Sequence, residues 1–224
     1  MEKAEVIREM ERRRLVAVVR SKSSEEALQT VKGVVEAGVR FVEITMSVPG
    51  ALGLVKELAN EEGFCVGAGT VLAKEEAEQA IKNGARFVVS PTLELDLIPM
   101  CREAGVTVVS GAATPTEVLT AIRAQADMVK IFPADCLGGP HFLRQIAAAL
   151  PKTRFMVSGG VNRSNAKEYI QIGVIGLALG SAFLAGLLAK QGHSGLVNEV
   201  RQFVKLVEEA VSGQLSVPVL GSER

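Results

Sequence analysis

Hydrophobic positions along the chain gather into short, almost unbroken runs. Each run is followed by a longer stretch in which apolar residues recur every three or four positions. The runs are LVAVVR (15–20), VRFVEIT (39–45), FCVGAG (64–69), RFVVS (86–90), VTVVS (106–110), MVKIF (128–132), RFMVS (154–158) and VIGLAL (174–179). Rich in β-branched residues and too short for helices, they read as strands. The stretches between them, such as SSEEALQTVKGVVEAG, KEEAEQAIKNGA, TPTEVLTAIRAQA and RSNAKEYIQIG, read as helices, and several close near Gly or Asn as helix C-termini do. Alternation of strand and helix predicts parallel strands joined by right-handed crossovers. Eight such units in 224 residues predict an α/β fold, a closed (β/α)8 TIM barrel, as a single domain over 1–224. Residues 3–13 predict an extra N-terminal helix covering the barrel's bottom, and about 215–224 read as a loose C-terminal tail. An open doubly wound sheet is the alternative, but no G-x-G-x-x-G opens the first helix.

Composition narrows the function classes. Lys+Arg and Asp+Glu both number 25, so no basic field exists to draw in nucleic acid or an anionic membrane. Aromatic residues make up 4% with no Trp, too few for a base-stacking surface. Any anion must therefore be held by a local site. Cys65, Cys101 and Cys136 form no C-x-x-C pair and read as small core residues in a reducing, cytoplasmic protein. The charged start MEKAEVIREMERRR lacks the apolar core of a signal peptide, and the apolar stretch 174–189 is interrupted by Gly176, Gly180 and Gly186. Its pattern is strand, turn and helix rather than a membrane span.

A few polar residues stand where strands do not need them. In MVKIF, alternation puts Met128, Lys130 and Phe132 on one face and Val129 and Ile131 on the other. The Val/Ile face suits the helix layer, so Lys130 is expected to point into the barrel near its upper rim. A buried lysine tends to lose its charge, and a neutral amine attacks carbonyl carbon. A lysine snorkelling to solvent or paired with a carboxylate satisfies the same periodicity. In RFVEIT the same alternation turns Phe41, Glu43 and Thr45 inward, placing a carboxyl group near the same rim. It would move protons during imine chemistry; the plain alternative is a structural ion pair, a costly way to stabilise a core.

Other candidates sit at strand ends, where this architecture collects reactive groups. Arg20 closes the first strand with donors suited to a carboxylate or phosphate, although an arginine leaving a strand is commonly just solvated. Thr70 follows the third strand and offers a hydroxyl to the same anion. The glycine turns VSGGV (157–161) and LGSAF (179–183) follow strands seven and eight, the usual place of a phosphate cradle, with Gly159, Gly160, Gly180 and Ser181 as candidates. His141 and His193 lie away from strand ends, so no metal cluster is expected.

Taken in order, VEIT with Glu43, GAGTVL with Thr70, FVVSPTL around Pro91, TPTE at 114–117, VKIFPAD with Lys130, SGGV and LGSAF resemble the 2-keto-3-deoxy-6-phosphogluconate (KDPG) / 4-hydroxy-2-oxoglutarate (KHG) aldolase family over roughly residues 5–210. The resemblance implies a Schiff-base aldolase that needs no metal or organic cofactor, usually a homotrimer. It would cleave KDPG to pyruvate and glyceraldehyde 3-phosphate, and 4-hydroxy-2-oxoglutarate to pyruvate and glyoxylate. Lys130 then forms the imine and Glu43 is the general acid/base. Arg20, Thr70, Pro91, Phe132, Ser158, Gly159, Gly160, Gly180 and Ser181 contact substrate. Some members carry the carboxylate-binding arginine where this chain has Ser47; others end the first strand in AVLR, which matches Arg20 here. The family's SPG and PTGG read SPT (90–92) and VSGG (157–160) in this chain. A sister group acting on the galactonate epimer shares the first-strand arginine, so both epimers stay open. A phosphosugar epimerase or isomerase and a non-catalytic phosphate-binding barrel are the remaining alternatives.

Overall fold

A computed structural model describes residues 1–215. It opens with α1 (Lys3–Arg13) and alternates β1 (Leu15–Val19), α2 (Ser24–Glu36), β2 (Phe41–Thr45), α3 (Ala51–Leu58), β3 (Cys65–Gly69), α4 (Lys74–Lys82), β4 (Phe87–Val89) and α5 (Leu97–Glu103). It continues with β5 (Thr107–Ala112), α6 (Pro115–Arg123), β6 (Met128–Ile131), α7 (Gly139–Ala149), β7 (Phe155–Val157), α8 (Ala166–Ile172), β8 (Gly176–Leu179) and α9 (Ser181–Leu215). The eight strands pair in chain order, all parallel, and β8 closes on β1. The barrel expected from the sequence is the architecture found. The tail expected from about Leu215 falls, beyond α9, outside the described residues.

Alternation along each strand divides the core in two. Val16, Val18, Phe41, Phe87, Val109, Met128 and Met156 fill the barrel together with Val6 and Met10 of α1, so α1 does plug the bottom. Leu15, Ala17, Val42, Ile44, Val129 and Ile131 face the helix layer instead. Because Phe41 and Met128 point inward, Glu43, Thr45 and Lys130 on the same faces must do so too.

Helix starts follow local chemistry. Thr114 caps α6 in a reciprocal box: its hydroxyl accepts from the Glu117 amide (3.3 Å), and the Glu117 carboxylate accepts from the Thr114 amide (2.9 Å). Ser23 caps α2 in the simpler way, accepting from the Glu26 amide. The long α9 is broken at Gly192 (φ 66°, ψ −170°) rather than at Gly186, where an added side chain would meet open space. His193, just past that break, meets Glu36 of α2 at 2.8 Å.

Candidate functional site

At the C-terminal end of the barrel, Lys130 Nζ lies 3.8 Å from Glu43 Oε1, with the two side chains 6% and 1% exposed. Neither Glu43 oxygen has a hydrogen-bond partner among the described residues. Burial pushes the Glu43 carboxyl above the usual carboxylate range, opposed by the charge of Lys130 and, to a smaller extent, that of Arg20. A proton-hungry carboxyl thus faces an amine in a buried pocket. The Phe132 ring, at the mouth and 38% exposed, stands with its centroid 5.5 Å from Lys130 Nζ.

Room for this pair comes from glycines that strand periodicity does not reveal. Glu43 is paired in register with Gly67, yet its carboxyl leans along β2 over Gly69. A Cβ on Gly69 would stand 1.9 Å from Glu43 Oε1, and one on Gly67 would stand 2.5 Å from the Phe87 ring. On β5, Gly111 lies beside Lys130 in register, and a Cβ there would be 2.2 Å from the Pro91 carbonyl. That gap lets the Ser90-Pro91-Thr92 turn fold over the barrel, where the Thr92 carbonyl accepts from the Gly111 amide at 3.1 Å.

Arg20 leaves β1 and donates from Nη2 to Thr70 Oγ1 at 3.0 Å. Thr70 holds φ 55°, a left-handed conformation uncommon outside glycine and typical of constrained positions near sites. Ser47, at the position of the other arginine, bonds hydroxyl to hydroxyl with buried Thr45 at 3.0 Å.

Ser158 directly follows β7, 7% exposed, and the two glycines after it both have positive φ, 94° at Gly159 and 69° at Gly160. Gly160 also has no room for a side chain, since a Cβ would approach that of Asp135 to 2.4 Å. Asn162 and Asn165 fix the turn by donating to the Gly160 carbonyl at 2.9 and 2.8 Å. After neighbouring β8, Gly180 leads into the N-terminus of α9 at Ser181, and a Cβ added to it would meet nothing within 4 Å. Backbone amides of such a first turn lack helical acceptors and suit an anion.

The cysteine reading meets its outcome here. Cys65 and Cys101 are buried, with thiols pushed up to about 12 by burial, which leaves them inert. Cys136 corrects the reading of all three as core residues: it is exposed in the β6–α7 loop, where its amide donates to the Asp135 carboxylate. No group of three or more His, Cys, Asp or Glu able to hold a metal occurs among the described residues. No helix among them is long and apolar enough to cross a membrane. A cleft of about 450 Å³ does open at the opposite end of the barrel beside Arg13, Arg40 and Arg86, but neither Lys130 nor Glu43 lines it.

Comparison with known proteins places this geometry. Residues 6–200 match the family described as "Aldolase: KDPG and KHG aldolase". The 2-dehydro-3-deoxy-6-phosphogalactonate aldolase of Escherichia coli K12 is 32% identical over 200 residues, covering 88% of this chain and 96% of that one. The 2-dehydro-3-deoxy-phosphogluconate aldolase of Treponema pallidum is 33% identical over 162 residues, covering 72% and 77%. Among solved structures, the KDPG aldolase of Legionella pneumophila, with pyruvate captured as a covalent carbinolamine, superposes with a TM-score of 0.78 at 25% identity, covering 87% and 95% of the two chains. With a buried amine and carboxyl at the mouth of a parallel barrel and a family match along most of its length, this chain belongs to the KDPG and KHG aldolase family.

Proposed function

We propose that the protein cleaves 2-keto-3-deoxy-6-phosphogluconate to pyruvate and glyceraldehyde 3-phosphate through an imine on Lys130, and 4-hydroxy-2-oxoglutarate to pyruvate and glyoxylate by the same route. The observation that carries this reading is the buried Lys130–Glu43 pair, whose carboxyl oxygens are both left for a reacting group. Glu43 accepts a proton from Lys130, and the free amine attacks the C2 ketone of the substrate. Glu43 returns the proton as water leaves the carbinolamine, giving a protonated imine. The carboxylate then takes the C4 hydroxyl proton, the C3–C4 bond breaks, and its electron pair forms the enamine while the aldehyde departs. Protonation at C3 and hydrolysis release pyruvate. The side chains supply the electron sink and the proton carrier themselves.

Arg20 and Thr70 hold the substrate carboxylate in this reading, and the turns at Gly159–Gly160 and Gly180–Ser181 hold the phosphate. Pro91 and Phe132 flank the reacting carbons. Arg20, exposed in the free protein, is covered once substrate binds in this reading, so Arg20→Ala weakens pyruvate binding by about 2–5 kcal/mol, the cost of losing a buried charge-assisted pair. Arg20→Lys recovers only part, because lysine keeps the charge but not the two parallel donors. Ser47→Ala leaves pyruvate affinity near its native value. Titration of the three variants with pyruvate decides this; native affinity in Arg20→Ala removes Arg20 from the role. A homotrimer belongs to the same proposal on the strength of the resemblance, and a cytoplasmic location on that of the three widely spaced cysteines.

A second reading takes the galactonate epimer as substrate, and Arg20 at the end of β1 together with Thr92 after Pro91 favours it. Ser158 favours the gluconate reading, since it keeps a buried hydroxyl at the end of β7. Parallel kcat/KM measurements on the two epimers separate them. The gluconate epimer is expected to win by at least about tenfold, the scale on which one correctly placed hydroxyl contact discriminates. A ratio reversed by the same margin selects the second reading.

A further inference from the structure

Glu43 is fully buried, yet an acid/base group that removes and returns protons needs a way to exchange them with solvent. Two hydroxyls on the same strand and the turn after it lie between Glu43 and the surface. Thr45 follows Glu43 on the inward face of β2 and is paired in register with Gly69, over which the Glu43 carboxyl leans; no direct hydrogen bond joins the two side chains among the described residues, so one water molecule would bridge them. Thr45 is itself fully buried, and among the described residues its hydroxyl has a single hydrogen-bond partner, the Ser47 hydroxyl at 3.0 Å. Ser47 is exposed. The turn between them is pinned on both sides: the Met46 amide donates to the Gly69 carbonyl at 2.8 Å, and the Val48 amide donates to the Thr45 carbonyl at 3.0 Å. A hydroxyl both donates and accepts, so the pair forms a two-step chain from the interior to bulk water.

We propose that Thr45 and Ser47 relay protons between Glu43 and solvent. The inference rests on the imine reading of Lys130 and Glu43. Both residues act through Glu43 and not on substrate, so they are positioning residues. In the pyruvate imine, the Glu43 carboxylate removes a methyl proton; the C–H electron pair becomes the enamine double bond and the iminium nitrogen takes up the displaced pair. The Glu43 proton then passes to the bridging water. That water gives a proton to Thr45, Thr45 gives its own to Ser47, and Ser47 gives its own to bulk water. A solvent proton returns by the reverse path, and every oxygen keeps its count of hydrogens. The relay explains why a side chain with no substrate-binding role is buried beside the catalytic carboxyl.

Two reactions of the same imine separate the relay from a structural effect. In heavy water, exchange of the pyruvate methyl hydrogens requires Glu43 to trade its proton with solvent. Aldol addition of pyruvate to glyceraldehyde 3-phosphate does not, because the proton taken from the methyl group can pass directly to the aldehyde oxygen. Thr45→Val and Ser47→Ala are expected to slow methyl exchange by about tenfold or more while addition falls by less than about twofold, and Thr45→Ser restores exchange. Equal losses in the two reactions, or unchanged exchange in both variants, overturn the relay. An unmodified protein that exchanges no methyl hydrogen overturns the imine reading, and the relay falls with it.

Discussion

Lys130→Met lowers cleavage of the phosphorylated substrate by at least about four orders of magnitude, the scale of losing a covalent nucleophile. Methionine is unbranched and fills the space of the lysine stem, so the barrel is expected to fold. What it lacks is the nitrogen. The change has a second signature in stability. Burial already raises the Glu43 carboxyl above its ordinary value, and Lys130 is the principal charge opposing that rise. Without Lys130 the carboxyl is held higher still. A group whose pKa is raised on folding binds its proton more tightly in the folded state, so stability falls as pH climbs from the unfolded pKa through the folded one. In Lys130→Met that fall extends to higher pH than in the native protein. Thermal unfolding followed across pH checks it, and identical profiles for the two proteins contradict the coupling of Lys130 to Glu43.

Glu43→Gln separates proton transfer from imine formation. Glutamine keeps the shape of the side chain but cannot carry the proton, so kcat falls by roughly 10²–10⁴, the usual contribution of a general acid/base. Lys130 remains, and pyruvate still adds to it, more slowly, because dehydration of the carbinolamine loses its acid. The pH profile carries the finer test. In the native protein the base form of Glu43 appears only above the ordinary carboxylate range, so activity rises with pH along a limb displaced upward from that range. Glu43→Gln removes the limb. A variant that keeps it assigns the titration to another group.

Much of this site could be read along single strands, and what could not depends on contacts between them. Lys130 and Glu43 were legible because alternation puts each on the face away from the Val/Ile side of its own strand. Strand ends ran up to two residues long or short because register with a neighbour decides where pairing stops: VTVVS (106–110) extends as β5 to Ala112, beside Ile131 of β6. Helices α2 and α6 start at side-chain caps, Ser23 and the Thr114–Glu117 box. Helices α3 and α7 start instead at Gly50 and Gly138, both with positive φ and no side-chain cap, and only Pro140 in the first turn of α7 marks either start. Gly69 and Gly111 look like weak points in strands until Glu43 and Pro91 are seen to occupy the space their side chains would take. The Thr45–Ser47 bond is likewise invisible to periodicity, which places Thr45 inward but not the turn that brings Ser47 back over it. Cys136 was misread because composition cannot tell a strand interior from the loop that follows it.

The central claim, an imine on Lys130, is tested most directly by borohydride reduction in the presence of pyruvate, followed by mass mapping of the peptides. The account predicts loss of activity that requires both reagents, with the reduced pyruvyl adduct on the peptide containing Lys130 and on no other lysine. An adduct on a different lysine, or full activity and no adduct, would contradict it.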